Sequence, residues 1–236
     1  MNITTLKNEV LLHAAETYPN ECCGLAIVHK GKLKYIKCTN LLSGDTFCID
    51  PLDYARAEDL GEVVAVCHSH VNISPNPSEP DIVSCNSSKL PWLIVSYPSN
   101  EHYVLEPTNY IQPLIGRPFF HGVLDCYSLI IDYYKEVLNI ELNDYPREPE
   151  WWEKDNYDLY EDNFRKEGFE QVLDSSLQEH DIILMQHGSN KVNHGAIYIG
   201  DNLILHHSTN RLSSRDVYGG YWRKNTRYII RHNTLL

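Results

Sequence analysis

Two histidines one residue apart at the end of an apolar run constrain this chain more than any other feature. The segment Glu62-Val-Val-Ala-Val-Cys67 reads as a buried strand, and Cys67-His68-Ser69-His70 closes it. If the strand continues through His70, both imidazoles point to one face, because strand side chains alternate with period two. Ser78 and Asp81 follow at fixed intervals, giving H-x-H, seven residues, then S-x-x-D. Two imidazoles and a carboxylate are what a catalytic zinc needs, since three protein ligands leave its fourth position open for water. The blander alternative is a histidine pair on ordinary surface or in satisfied core. A structural zinc site drawing on Cys22, Cys23 or Cys67 is a further option, disfavoured because such sites pair their cysteines in C-x2-4-C arrangements.

At 236 residues the chain has room for two modest domains, each burying its own core. Hydrophobic content of 42% and charged content of 22% describe an ordinary globular protein. The formal charge of -12 argues against nucleic acid as a partner, whose backbone requires clustered Lys and Arg. No apolar run approaches the ~20 residues that span a bilayer, so no transmembrane segment is expected. The first residues, Met1-Asn-Ile-Thr-Thr-Leu, lack the basic start and apolar core of a signal peptide, which points to folding in a cytoplasm. Of the seven cysteines, six precede residue 90 and show no framework spacing, so free and mostly buried thiols are expected. Cys126 is alone in the second half.

The periodicity predicts a helix over 4–17, a hairpin from 25–28 and 33–36 about Lys30-Gly31, and a short helix over 51–60 opened by Pro51. The 62–70 strand, a helix over 81–88, and strands at 92–96 and 102–105 complete an α+β unit. Prolines and polar residues around 106–118 mark a boundary, giving expected domains at 1–110 and 115–236. Beyond it a helix opens at Cys126 and runs to Leu138, followed by strands at 181–186, 194–199, 202–207 and near 227–231. Residues 139–168 are acidic and aromatic. They read as an acidic surface loop with a small aromatic cluster, or as a lid or docking surface.

A hydrolytic zinc site also needs a carboxylate beside the bound water, and it can come from far away in sequence. Glu21, in Pro19-Asn-Glu21-Cys-Cys-Gly24, is the candidate. With Glu21, His68, His70, Ser78 and Asp81 all present, residues 1–110 resemble the JAMM (MPN-plus) metalloprotease family. The resemblance implies zinc on His68, His70 and Asp81. It implies Glu21 as the base for the metal-bound water and Ser78 as hydrogen-bond donor to the tetrahedral intermediate.

Cys126 sits at the first turn of its helix, where the macrodipole and a nearby imidazole favour a thiolate. The turn Gly200-Asp201-Asn202 folds the two following strands into a hairpin, which is expected to set His194 almost opposite His206. The run Gly122-Val-Leu-Asp-Cys126, then Asn193-His-Gly-Ala-Ile-Tyr198, then Leu205-His206 resembles the NlpC-type papain-like cysteine peptidases that cut cell-wall peptides. That resemblance implies Cys126 as nucleophile, His194 as base and later acid, and His206 as the residue that holds the imidazole. His207 has the opposite strand parity. The pattern departs from the family in two places. Tyr127-Ser128 replaces the small Ser-Gly after the cysteine, and the tyrosine expected before it is absent, with Phe119, Phe120 and His121 in that region.

The expected fold class is therefore α+β, a JAMM/MPN-like domain followed by a papain-like NlpC-type domain. Their fusion resembles the tail-tip assembly proteins of tailed bacteriophages. It implies tail-tip proteins and peptidoglycan stem peptides as partners, with residence in the host cytoplasm during assembly and then at the virion tail tip. The metal domain would process a tail protein. Two other readings stay open: a cytoplasmic JAMM peptidase that trims ubiquitin-like or sulfur-carrier proteins, and a catalytically silent structural component of the tail tip.

Overall fold

The computed structural model describes residues 1–108, 110–148, 150–173 and 176–236, and divides into two compact units, Met1–Tyr110 and Ile111–Leu236. Asn109 in the expected boundary and Pro149 in the 139–168 segment lie outside the described residues. Both units are α+β. Among the described residues no helix is long and apolar enough to cross a membrane.

In the first unit, helix α1 (Lys7–Thr17) precedes a hairpin of β1 (Cys23–His29) and β2 (Lys32–Cys38). Its turn residues Lys30 and Gly31 both have positive φ (49° and 73°), which suits a glycine at the second position. Helix α2 (Pro51–Leu60), strand β3 (Glu62–Val71), helix α3 (Glu79–Ser88) and strands β4 (Trp92–Tyr97) and β5 (His102–Leu105) follow. The sheet order is β2-β1-β3-β4-β5, antiparallel except for β3 and β4, which α3 joins as a parallel crossover. Both faces are covered. Val10, Cys22, Ala26, Cys67 and Leu93 pack together on one face, and Cys23, Leu25, Ile27, Val66 and Trp92 pack on the other. This explains why β1 is an unbroken apolar run rather than an alternating one. Cys67 lies in the cluster with Val10 of α1, on the face away from the one that His68 shares with Trp92.

The second unit opens its regular structure with helix α4 (Cys126–Leu138) and the short helix α5 (Leu159–Asn163). Strands β6 (Phe169–Val172), β7 (Ile182–Met185), β8 (His194–Tyr198), β9 (Leu203–His206), β10 (Ser214–Val217) and β11 (Thr226–His232) form one sheet, with helix α6 (Gly220–Asn225) before the last. The order is β10-β9-β8-β7-β11-β6, and every pairing is antiparallel. Strands β6 and β10 were not expected. Phe-Glu-Gln-Val and Ser-Arg-Asp-Val are short, polar edge segments without an apolar face to announce them.

Helix α4 packs on β8 at Gly195, where a Cβ would meet Ile130 Cδ1 at 2.7 Å and the Tyr160 hydroxyl at 3.1 Å. The glycine after His194 thus lets the Ile130 and Tyr160 side-chain ends approach the strand closely. The reading of 139–168 as a surface loop is corrected. Trp151, Leu159, Tyr160 and Phe164 are buried in the same cluster as Leu129, Ile130, Ile182 and Leu184, while the charged Glu153 and Asp155 between them, and Glu150 just before, face solvent. The segment is a wall of the core with an acidic outer surface.

Candidate active sites

Because β3 runs to Val71, His68 and His70 share a face of its strand, and the capped start of α3 brings Asp81 to them. One ligand atom from each of His68, His70 and Asp81 lies within 4.8 Å of the others. His68 Nε2 is 3.3 Å from Asp81 Oδ1, and His70 Nε2 is 3.2 Å from Asp81 Oδ2. His70 Nδ1–H donates to the Ser74 carbonyl at 2.9 Å, which leaves Nε2 facing the cluster. His68 is fully buried, stacked on Phe47 at 4.6 Å, and neither ring nitrogen has a partner with hydrogen-bond geometry. An orphaned buried imidazole beside a carboxylate and a second imidazole fits a metal ion, because a dry apolar site would not tolerate the unpaired nitrogens otherwise.

The electrostatics agree with that donor set. Burial pushes His68 toward its neutral, ligating form. Burial works against the Asp81 carboxylate too, but His68, His70 and the Ser78 hydroxyl outweigh it and hold Asp81 well below the usual carboxylate range. Burial likewise opposes a charge on His70, yet Asp81 and the Ser74 carbonyl raise it. Glu21 is reached across the sheet. Cys23 pairs with His68, and Cys22 exchanges hydrogen bonds with Ser69 (2.8 and 3.1 Å), so continuing the register sets Glu21 beside His70. Burial pushes its carboxyl up to about 8, partly opposed by His70.

Ser78 has a second reading. It is the N-cap of α3, and Ser78 and Asp81 form a reciprocal capping box. The Ser78 hydroxyl and backbone N–H each donate to Asp81 Oδ2 at 2.7 Å. The S-x-x-D spacing is thus also what a helix start demands, so folding alone accounts for two of the five positions. It does not account for His68.

In the second unit, Asp125 caps α4 by accepting from the N–H groups of Tyr127 and Ser128, both at 3.0 Å, and Cys126 takes the first helical position. Arg147 reaches in from the 139–168 segment and donates to Asp125 Oδ2 at 2.6 Å and to the Gly122 carbonyl at 2.9 Å. The thiol is not the ready thiolate expected from the helix position. Burial first, and then the Asp125 carboxylate, push Cys126 up to about 11, against smaller opposing effects from Tyr160, Gly195 and Arg147. Its hydrogen-bond partner is the Tyr160 hydroxyl at 3.2 Å, and none joins it to His194 among the described residues.

His194 and Cys126 line one cleft, together with Tyr160, Trp151, Trp152 and His207. His194 Nε2 is 3.0 Å from His206 Nδ1, and His206 Nε2 is 3.1 Å from Asp216 Oδ2 on β10. The expected register is off by two residues. Ala196, not His194, stands opposite His206. The three-residue turn 200–202 sets this offset, and parity is kept, so the two imidazoles meet diagonally. Burial drives the His194 pKa well down, with further lowering from His206, His187 and His207. His206 is lowered by burial against the pull of Asp216.

Sequence reasoning missed Asp216, Tyr160 and Arg147. Asp216 sits in a polar tetrapeptide with no motif, and the other two lie in a segment read as surface. Tyr160 brings its hydroxyl to the Cys126 sulfur from the C-terminal side of the chain.

Comparison with known proteins agrees with both halves. Residues 116–231 match the NlpC/P60 family, and residues 4–106 match the prokaryotic homologs of the JAB domain. The α+β class, with a JAMM/MPN-like unit first and an NlpC-type unit second, is thus as expected. Tail tip assembly protein K of Escherichia phage N15 is 40% identical over 226 residues, covering 94% of this chain and 92% of that protein. Tail tip assembly protein K of Escherichia phage lambda is 39% identical over 184 residues, covering 78% of this chain and 89% of that protein.

Proposed function

The chain belongs to the tail tip assembly protein K family, and from that premise we propose a phage tail-tip peptidase with two catalytic centres. The Ile111–Leu236 unit hydrolyses stem peptides of peptidoglycan as the phage penetrates the cell wall. The Met1–Tyr110 unit is a zinc peptidase that processes another tail protein. The protein works with other tail-tip proteins, first in the host cytoplasm during assembly and then at the virion tail tip.

The single observation that carries this reading is the chain of hydrogen bonds His194–His206–Asp216, whose first member lines the cleft that holds Cys126. It fixes tautomers. The Asp216 carboxylate can only accept, so neutral His206 carries its proton on Nε2 and accepts at Nδ1. His194 must then donate from Nε2, which leaves the lone pair of its Nδ1 for the Cys126 thiol. His194 takes the Sγ proton as sulfur attacks the peptide carbonyl, and returns it to the leaving amine as the C–N bond breaks. A neutral thiol and a neutral imidazole at rest favour this concerted use of a base over a preformed ion pair. Tyr160 donates its hydroxyl to the developing thiolate.

In the first unit, His68, His70 and Asp81 would hold the zinc, which when bound supplies a Lewis acid and acidifies a water. Glu21 would be the carboxylate that takes a proton at this site and passes it to the leaving amine, and a cation held beside it would offset the burial that pushes its carboxyl up. Ser78 would donate a hydrogen bond to the substrate oxygen, for which its hydroxyl must turn away from Asp81.

Soluble muropeptide release from purified sacculi tests the reading. Wild type is expected to release peptides and Cys126→Ala to release none. Equal release by both, or none by either, would sink it for this centre. Full-length tail polypeptides in a Glu21→Gln phage, where the wild type trims one, would support the zinc centre, and identical polypeptide sizes in both would remove it.

A further inference from the structure

One indole in the second unit touches three imidazoles. Trp222 of α6 stacks on His194, with ring centroids 5.6 Å apart and planes 28° apart. It meets His206 edge-on at 4.5 Å and 74°, and lies against His187 at 5.4 Å and 37°. The far imidazole is itself pinned. The backbone N–H of His187 donates to Asn193 Oδ1 at 2.8 Å, and its Nδ1 shares a hydrogen bond of 2.9 Å with the Tyr221 hydroxyl. Trp222 is half-buried and packs with part of its ring against the core cluster of Ile183, Ala196 and Ile204. Its ring contacts include both imidazoles that share the 3.0 Å hydrogen bond.

We propose that Trp222 is a positioning residue of the Cys126 centre, whose ring face supports His194 as a cation and whose edge covers the His194–His206 hydrogen bond. This rests on the peptidase reading above and deepens it. The π face of an indole attracts a cation more strongly than that of tyrosine or phenylalanine, and more so where water is excluded. His194 is neutral at rest because it is buried. The cation exists only after the Sγ proton has moved to Nδ1, with the electron pair left on sulfur. The stack is therefore strongest at the moment of proton transfer, and it disappears when the proton leaves on the amine. An interaction of that kind raises turnover without tightening substrate binding. Around His194 the titratable groups are His187, His206, His207 and the Cys126 thiol, with Asp216 and Arg211 behind His206. The carboxylate of Asp216 is itself engaged by His206 and Arg211, so beside the His206 hydrogen bond the indole is a second cation-stabilising contact made to His194 directly.

The test reads the thiol, so it does not depend on knowing the peptide substrate. The rate of Cys126 alkylation by iodoacetamide is followed in the full chain at pH 7 by site-resolved mass spectrometry, which separates Cys126 from the exposed Cys48. Trp222→Leu is expected to slow Cys126 by about 5- to 10-fold, and Trp222→Phe by no more than ~3-fold, because phenylalanine keeps a π face. Should the leucine variant fail to fold, Trp222 is replaced by mono-, di- and trifluorinated tryptophans. These keep the shape while draining the face of negative charge, and the rate is expected to fall stepwise with fluorination. Wild-type alkylation rates throughout the fluorinated series, or in a folded Trp222→Leu chain, would overturn the proposal. His194→Ala alkylating as fast as wild type would instead remove the base reading on which the proposal stands.

Discussion

The two candidate centres are built in opposite ways. The metal cluster is local: His68, His70 and Asp81 come from one strand end and the first turn of the next helix, and only Glu21 arrives across the sheet. The cysteine centre is assembled from afar, with Cys126 on α4, Tyr160 on α5, His194, His206 and Asp216 on three adjacent strands, and Trp222 on α6. A metal ion organises its own ligands once three donors converge, so a short segment suffices. A proton relay has no such organiser. Each member must be held by its neighbours to within a hydrogen bond, which only a packed sheet and helix can do.

The largest expected effect separates the two centres outright. His68→Ala should strip stoichiometric zinc, measured by mass spectrometry of dialysed protein, and leave the Cys126 alkylation rate unchanged. Cys126→Ala should abolish muropeptide release and leave the zinc content as it was. Either variant changing both readouts would break the comparison at its root.

The same contrast decides what the sequence could disclose. The metal cluster was legible because strand parity and a capping box translate spacing directly into geometry, and His68-x-His70 with Ser78-x-x-Asp81 is that translation. Cys126, His194 and His206 were legible through helix position and hairpin parity, although the register slipped by two because the turn 200–202 centres the pairing on Asp201 rather than on Gly200. Tyr160 and Arg147 were hidden in a segment whose charge density, from Glu141 to Asp162, outweighs its aromatics in any local reading. Burial of Trp151, Tyr160 and Phe164 depends on where that segment lands, which tertiary packing decides. Asp216 lies on an edge strand with no periodic signal at all.

Arg147→Met probes that hidden segment. The guanidinium and the Asp125 carboxylate are both almost fully buried and 2.6 Å apart. Removing one partner of a buried pair typically costs about 3–5 kcal/mol, because the other charge is left uncompensated. Asp125 is held below its ordinary range although burial opposes this, with Arg147 and the backbone N–H groups outweighing the burial. A carboxyl lowered on folding stabilises above its unfolded pKa, and that contribution fades as pH falls through the acid range. Urea denaturation should therefore show a large gap between wild type and variant at pH 7, narrowing toward pH 3. A gap that stays constant with pH would mean that Arg147 acts by packing alone.

Gly195→Ala is expected to have a smaller effect, because overpacking one methyl typically costs about 1–3 kcal/mol. The new Cβ would press on Ile130 Cδ1 at 2.7 Å and on the Tyr160 hydroxyl at 3.1 Å. Tyr160 is the partner of Cys126, so the displacement should also change the alkylation rate of the thiol. An unaltered rate in a destabilised variant would show that the helix-strand approach and the Tyr160 contact are separable, weakening the view of the cysteine centre as one packed assembly.

The smallest expected change in stability is also the sharpest test of the local centre. Ser78→Ala removes the side-chain cap of α3, a loss of about 1 kcal/mol in thermal denaturation. Ser78→Thr retains a hydroxyl that can cap and donate, and should restore most of it. If Ser78 serves only the helix, the alanine variant should keep its zinc and its turnover of the tail protein. If it also donates to the tetrahedral carbon's oxygen, turnover should fall about 100-fold or more with zinc content unchanged, in line with the loss of an oxyanion donor. That separation matters because the same two residues satisfy a folding rule and are proposed to satisfy a catalytic one. His68 satisfies no folding rule, since burying an imidazole with both nitrogens unpaired is unfavourable unless something occupies the space it faces. Ser78 is the position where a capping box and the proposed catalytic donor coincide, and only a rate measured against a stability can tell which of them requires it.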